Sequence, residues 1–161
     1  MRQKRLHGTA VALLCAAAIF LSLWPGRAAA QEVDSAAASA IVMEAQNGTV
    51  LLYHDAETER PMASTTKIMT ALLALENGQL DELVTASERA FGVPGTSIYL
   101  SAGETLTLHD MLYGLMLASG NDAAVAIAEH IGGTVEEFCA RMTARARELG
   151  CMHTVFLTPH G

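Results

Sequence analysis

The chain has 161 residues, of which 51% are apolar, 17% charged and 5% aromatic. That suits one domain of ordinary size and argues against a disordered chain. Ten Lys and Arg against seventeen Asp and Glu give a net charge of −7, which would repel a phosphate backbone, so no nucleic-acid partner is expected.

Arg2, Lys4 and Arg5 form a short positive start. An apolar run follows from Ala10 to Leu23, broken only by Ser22, and then come Pro25-Gly26 and Ala28-Ala29-Ala30. The run falls short of the roughly 20 residues that span a bilayer. With small residues after it, it reads as a cleaved export signal over residues 1–30. The mature chain would start near Gln31, outside the cytoplasm.

Two short strand-like runs, Ser39 to Glu44 and Thr49 to His54, flank Asn47-Gly48, a strong hairpin signal because both residues tolerate positive φ. A loop ending in Pro61 leads to a predicted helix from Ser64 to Asn77, with Gly78 expected as its left-handed cap. Its body, Ile68 to Leu75, is apolar almost all round, which predicts a buried helix. From Asp81 to Gly103 the pattern weakens, with Gly92, Pro94 and Gly95 marking a loop. Thr107 with Asp110 reads as a cap before the apolar run Met111 to Ala118. Ser119-Gly120-Asn121-Asp122 interrupts, and a second helix is expected from Ala123 to His130. Thr134 with Glu137 opens a further helix to Leu149, its stripe made by Val135, Phe138, Cys139, Met142, Ala146 and Leu149. Thr154 to Leu157 reads as extended, and Pro159-His160-Gly161 as a turn.

Ser64 and Lys67 carry the first chemical signal. At i and i+3 on a helix they share one face, and a neutral lysine can take the proton that keeps a serine hydroxyl unreactive. The partial positive charge of a helix N-terminus disfavours the ammonium and helps keep that lysine neutral. The plainer reading is a capping serine with a lysine in the first turn. Ser119 and Asn121 are the second signal: a hydroxyl able to relay a proton and a carboxamide able to hold a peptide group. The plainer reading there is a helix end and the next helix's cap. His54, His109, His130, His153 and His160 have no ligand spacing, and neither CxxC nor HExxH occurs, so no metal and no cofactor are expected. Met111, Met116 and Met142 are assigned to the core.

Taken together these segments are far more specific. Pro61-Met62-Ala63-Ser64-Thr65-Thr66-Lys67-Ile68-Met69-Thr70 resembles the nucleophile segment of serine-type D-alanyl-D-alanine carboxypeptidases, the low-molecular-mass penicillin-binding proteins. Gly103 to Thr107, followed by Leu117 to Ala124, resembles their second motif and its flanks. His153-Thr154 with Pro159-His160-Gly161 resembles a further segment, so the resemblance covers about Ser39 to Gly161.

The resemblance implies a mixed α/β fold shared with serine β-lactamases, of which a β-hairpin and a helical cluster are expected here. It implies that Ser64 attacks the carbonyl between the two terminal D-alanines of a peptidoglycan stem peptide. Lys67 would take the proton, Ser119 would help pass it to the leaving D-alanine, and Asn121 would hold the substrate amide. β-Lactams would be covalent inhibitors at Ser64. The family's Lys-Thr-Gly motif does not occur, since Lys67 is the only lysine after residue 30. The expectation is therefore a chain truncated before that motif, with residues 31–161 the N-terminal portion of the catalytic domain. Membrane attachment would come only from a C-terminal anchor outside this sequence. Two rivals stay open. One is a non-catalytic module that holds stem peptides. The other is a serine β-lactamase, although class A enzymes carry Ser-Asp-Asn where this chain has Ser-Gly-Asn.

Overall fold

The computed structural model describes residues 30–161. The expected export signal, residues 1–30, therefore lies outside the described residues but for Ala30. The chain divides between Glu59 and Arg60 into two compact units.

The first unit holds a three-stranded sheet. Strand β1 is Gln31–Glu32, β2 is Ala40–Met43 and β3 is Val50–His54. The hairpin formed by β2 and β3 is antiparallel, as the Asn47-Gly48 turn predicts, and Gly48 has φ of 72°. β1 pairs in parallel with the other edge of β3, which the sequence reading did not anticipate.

The second unit is mostly helical. A short 3₁₀ turn, Ala63–Thr65, runs straight into helix α1, Thr66–Asn77. Then follow β4 (Leu83–Thr85), α2 (Glu88–Phe91) and β5 (Thr105–Thr107). Three long helices complete it: α3 (Leu108–Leu117), α4 (Asn121–Gly132) and α5 (Val135–Glu148). β4 and β5 pair antiparallel, Val84 opposite Leu106.

Both expected caps form. Thr107 Oγ1 accepts the Asp110 N–H at 3.1 Å, and Thr134 Oγ1 accepts that of Glu137 at 3.1 Å. Each satisfies a backbone donor that a helix start otherwise leaves without a partner.

The central helix is α4, not α1. α4 packs against α1, α2, α3, α5 and β4, and every residue from Asp122 to Ala128 is buried. Ala123, Ala124, Ala126 and Ala128 make this possible, because small side chains let four helices approach one axis. α1 leaves Ile68 61% and Leu75 58% exposed, so the expectation of a helix buried all round fails. Gly78 also departs from expectation. Its φ of −113° and ψ of 169° are extended, and glycine is needed there for room: a Cβ would sit 2.6 Å from a Leu108 methyl carbon. Thr154 to Leu157 forms no strand; the Phe156 N–H donates to Thr143 Oγ1 on α5 at 3.0 Å while the ring is buried. Met111 and Met142 lie in the core, but Met116 is 48% exposed. No helix among the described residues is long and apolar enough to cross a membrane.

Candidate active site

Two places in the second unit supply the candidate groups: the start of α1 and the turn between α3 and α4. Ser64 lies in the 3₁₀ turn, exposed, just after Ala63, whose φ is 47°. The tight turn brings Ser64 one helical step from Lys67, and Lys67 Nζ lies 3.2 Å from Ser64 Oγ. The lysine itself is 2% exposed. Its second partner is the His160 carbonyl, which accepts from Nζ at 3.1 Å. Among the described residues no carboxylate forms an ion pair with it.

Burial without a counter-charge disfavours the ammonium, so the Lys67 pKa falls below its ordinary value. A neutral amine can donate to His160 and turn its lone pair to the Ser64 hydroxyl. The same pair of atoms then stays 3.2 Å apart with the hydroxyl as donor. The His160 imidazole is biased against its charged form: burial lowers its pKa, the Gly161 backbone works to raise it, and the Lys67 charge lowers it further.

The His160 carbonyl is held by the turn that contains it. Thr70 Oγ1, one turn beyond Lys67 on α1, donates to the Pro159 carbonyl at 2.6 Å. The Gly161 N–H donates to Thr158 Oγ1 at 3.0 Å. A Cβ on Gly161 would overlap the Ala63 carbonyl, so the turn sits directly against the residue before Ser64.

Ser119 closes the other side. It has φ of 57°, a left-handed conformation that serine rarely adopts. Ser64, Thr65, Lys67, Ile68, Leu115, Met116 and Ser119 line one open cavity of about 290 Å³. Exposed Met116 and Ile68 thus have a place, as apolar walls beside the hydroxyls. Asn121 does not line this cavity. It begins α4, where its Nδ2 donates to the Pro94 carbonyl at 2.7 Å and its N–H to the Thr96 carbonyl at 2.7 Å. One of its two amide hydrogens is therefore committed to the protein, which fixes the end that its oxygen presents.

With these hydroxyls and the amine gathered on one cavity wall, comparison with known proteins becomes informative. The sequence pattern of the family described as D-alanyl-D-alanine carboxypeptidase matches residues 26–161. The chain belongs to this family.

Among relatives, the D-alanyl-D-alanine carboxypeptidase DacF of Bacillus subtilis (strain 168) is 42% identical over 135 residues, covering 81% of this chain and 35% of its own length. Among solved structures, the D-alanyl-D-alanine carboxypeptidase DacD from Francisella tularensis superposes with a TM-score of 0.76 at 32% identity, covering 80% of this chain and 32% of that one. Penicillin binding protein 6B from Escherichia coli gives a TM-score of 0.76 at 29% identity, covering 85% and 46%. The mixed α/β fold is thus that of penicillin-binding carboxypeptidases over the matched part. The chain spans about a third to two fifths of the length of the first relatives it matches.

The sequence reading named Ser64, Lys67, Ser119 and Asn121. It missed Thr70, the His160 carbonyl, Pro94, Thr96 and Asp122. The segments around Thr70, His160 and Asp122 were already visible in the resemblance, but nothing in spacing revealed that they hold the site.

Proposed function

We propose that the protein is a serine D,D-carboxypeptidase that removes the terminal D-alanine from peptidoglycan stem peptides. The observation that carries this reading is the 3.2 Å contact of Ser64 Oγ with an amine that is 2% exposed and has no ion pair among the described residues. Lys67, whose charged form desolvation disfavours, takes the Ser64 proton through its neutral form as Oγ attacks the carbonyl carbon of the terminal D-Ala-D-Ala bond. The Ser64 backbone N–H is one donor to the developing oxyanion. The proton then reaches the leaving amine by way of Ser119, and D-alanine departs. Asn121 offers its carboxamide to the stem-peptide backbone. Water attacks the ester on Ser64 and releases the shortened peptide. β-Lactams carry a carbonyl that Ser64 attacks in the same way, and their ester persists. The reaction belongs to the cell envelope, and residues 1–30 carry the features of an export signal that would deliver the chain there.

Fluorescent penicillin labelling of the gene product carrying this sequence, followed by peptide mapping, tests the reading. The label is expected on Ser64, together with D-alanine release from a D-Ala-D-Ala peptide. A Ser64→Ala variant that labels at the wild-type rate overturns the assignment. Failure of the wild type to form any covalent adduct supports a module that only holds stem peptides. Rapid turnover of a chromogenic cephalosporin supports a β-lactamase.

A further inference from the structure

Asp122 is 2% exposed and carries a charge that no Lys, Arg or His among the described residues pairs with. A buried carboxylate is tolerated only where hydrogen bonds replace its hydration. Here they do. The Ser97 hydroxyl donates to Oδ2 at 2.6 Å, the Leu100 N–H to Oδ2 at 3.0 Å and the Ala123 N–H to Oδ1 at 2.9 Å. The Ile98 N–H lies 3.1 Å from both oxygens. One carboxylate thus ties the segment from Ser97 to Leu100 onto the first turn of α4.

The residues immediately before it, Pro94 and Thr96, hold the two candidate groups of the α3–α4 turn. The Pro94 and Thr96 carbonyls accept from Asn121 Nδ2 and N–H, each at 2.7 Å, and Thr96 Oγ1 donates to the Ser119 carbonyl at 2.7 Å. Besides Ala63, two residues of this unit are left-handed without being glycine: Ser119 with φ of 57°, and Tyr99 with φ of 64° between the two amides that bind Asp122. Each such conformation is strained and persists only where its surroundings over-determine it.

We propose that Asp122 is a positioning residue for acylation, acting through the Pro94–Leu100 segment to fix the Asn121 carboxamide and the Ser119 backbone. This rests on the reading of Ser64 as the acylated serine. Asparagine in its place keeps the volume but turns an NH2 group toward N–H and O–H donors that need an acceptor. The segment then loses its anchor, Asn121 loses a fixed orientation, and the acyl acceptor is held poorly. A misplacement of about 1 Å can cost around 100-fold in rate.

The test separates the acylation rate constant from the noncovalent dissociation constant for a penicillin, with both normalised to the fraction of protein that labels. Asp122→Asn is expected to lower the acylation rate constant about 10-fold to 100-fold. Ser97→Ala, which removes one hydroxyl donor and leaves the charge, is expected to lower it by a smaller factor. Asp110→Asn, on the first turn of α3, is the control and is expected to leave it unchanged. A merely structural role would reduce the labelled fraction and leave the rate per labelled site intact. Folded Asp122→Asn with a rate constant within about twofold of wild type overturns the proposal. If that variant does not fold, an unchanged rate constant in Ser97→Ala does so instead. A wild type that fails to label at Ser64 overturns both this proposal and the reading beneath it.

Discussion

Thr70 donates its hydroxyl proton to the carbonyl of Pro159 at 2.6 Å, and both residues are fully buried. The bond ties α1, one turn past Lys67, to the backbone that offers its next carbonyl to the lysine amine. Thr70→Val keeps the shape and removes the donor, leaving a buried carbonyl without a partner. The expected loss of stability is about 1–3 kcal/mol, read from denaturant unfolding. Thr70→Ser, which keeps the hydroxyl, should lose less. Equal losses in the two variants would assign the effect to the methyl group.

Acylation is expected to quicken as pH rises through the Lys67 pKa, which desolvation lowers from its ordinary value of 10.5. The neutral amine is the active form, so the rate follows the deprotonated fraction. Linkage has the same sign. Between the folded and unfolded pKa values the unfolded chain binds more protons at this group, so stability also rises with pH in that window. Penicillin acylation rates across pH check this. A rate that falls as pH rises toward 10.5, or that shows no rise anywhere between acid pH and 10.5, would remove Lys67 as the base.

Gly95 has φ of 102°, and a Cβ there would lie 2.5 Å from Asn121 Nδ2. Gly95→Ala meets both obstacles, one in its own backbone and one in the side chain it touches. The acylation rate is expected to fall about 10-fold to 100-fold through displacement of Asn121. Measured stability should fall by roughly 1–3 kcal/mol from the backbone strain. A stable, fully active variant would show that Asn121 need not stay where Pro94 holds it.

Cys139 is buried on α5 and Cys151 is exposed beyond its end, and both are free thiols. Burial raises the Cys139 pKa, the Glu136 charge adds to this, and the Arg89 charge opposes it. In the chain from Gln31 onward, one thiol should react with a water-soluble disulfide reagent in native buffer and two in denaturant. Isolation of a Cys139–Cys151 bridged peptide from a non-reduced digest would contradict this arrangement.

The Asp122 carboxyl supplies an acid-side prediction. Burial works to raise its pKa, but the bonds from Ser97, Leu100, Ile98 and Ala123 outweigh this and hold it below the ordinary value. A depressed folded pKa gives stability that is complete above the unfolded value, near 3.9, and is lost as pH falls through the folded one. Asp122→Asn should therefore flatten the loss of stability below about pH 4. An unchanged acid limb would mean that other carboxylates set it.

What the sequence made legible were features written in adjacent residues. Thr107 with Asp110 and Thr134 with Glu137 cap their helices because a cap needs only a hydroxyl and an N–H three residues on. Asn47-Gly48 gave the hairpin for the same reason. β4 and β5 escaped notice because each has three residues and only Val84 is fully buried, too short a run for alternation to register. Ile68 and Leu75 misled because composition alone cannot tell a core face from a cavity wall or an uncovered one. Asp122 fell in the stretch read as a break between two helices, where an acid draws no notice. Apart from Ala123, its partners lie 22 to 25 positions earlier, in a stretch without any periodic pattern.

The bond from Lys67 to His160 joins positions 93 residues apart. Helices α1 to α5 can form from near neighbours, but this contact must wait until nearly the whole second unit has been ordered. Loop closure over such a span is slow and entropically costly compared with local helix growth. Until it closes, the burial that lowers the Lys67 pKa is expected to be incomplete. Competence to acylate is therefore expected to be the last property the unit acquires. Covalent capture of penicillin works as a folding clock: during refolding from denaturant, competence to label should return after helical circular dichroism has already recovered.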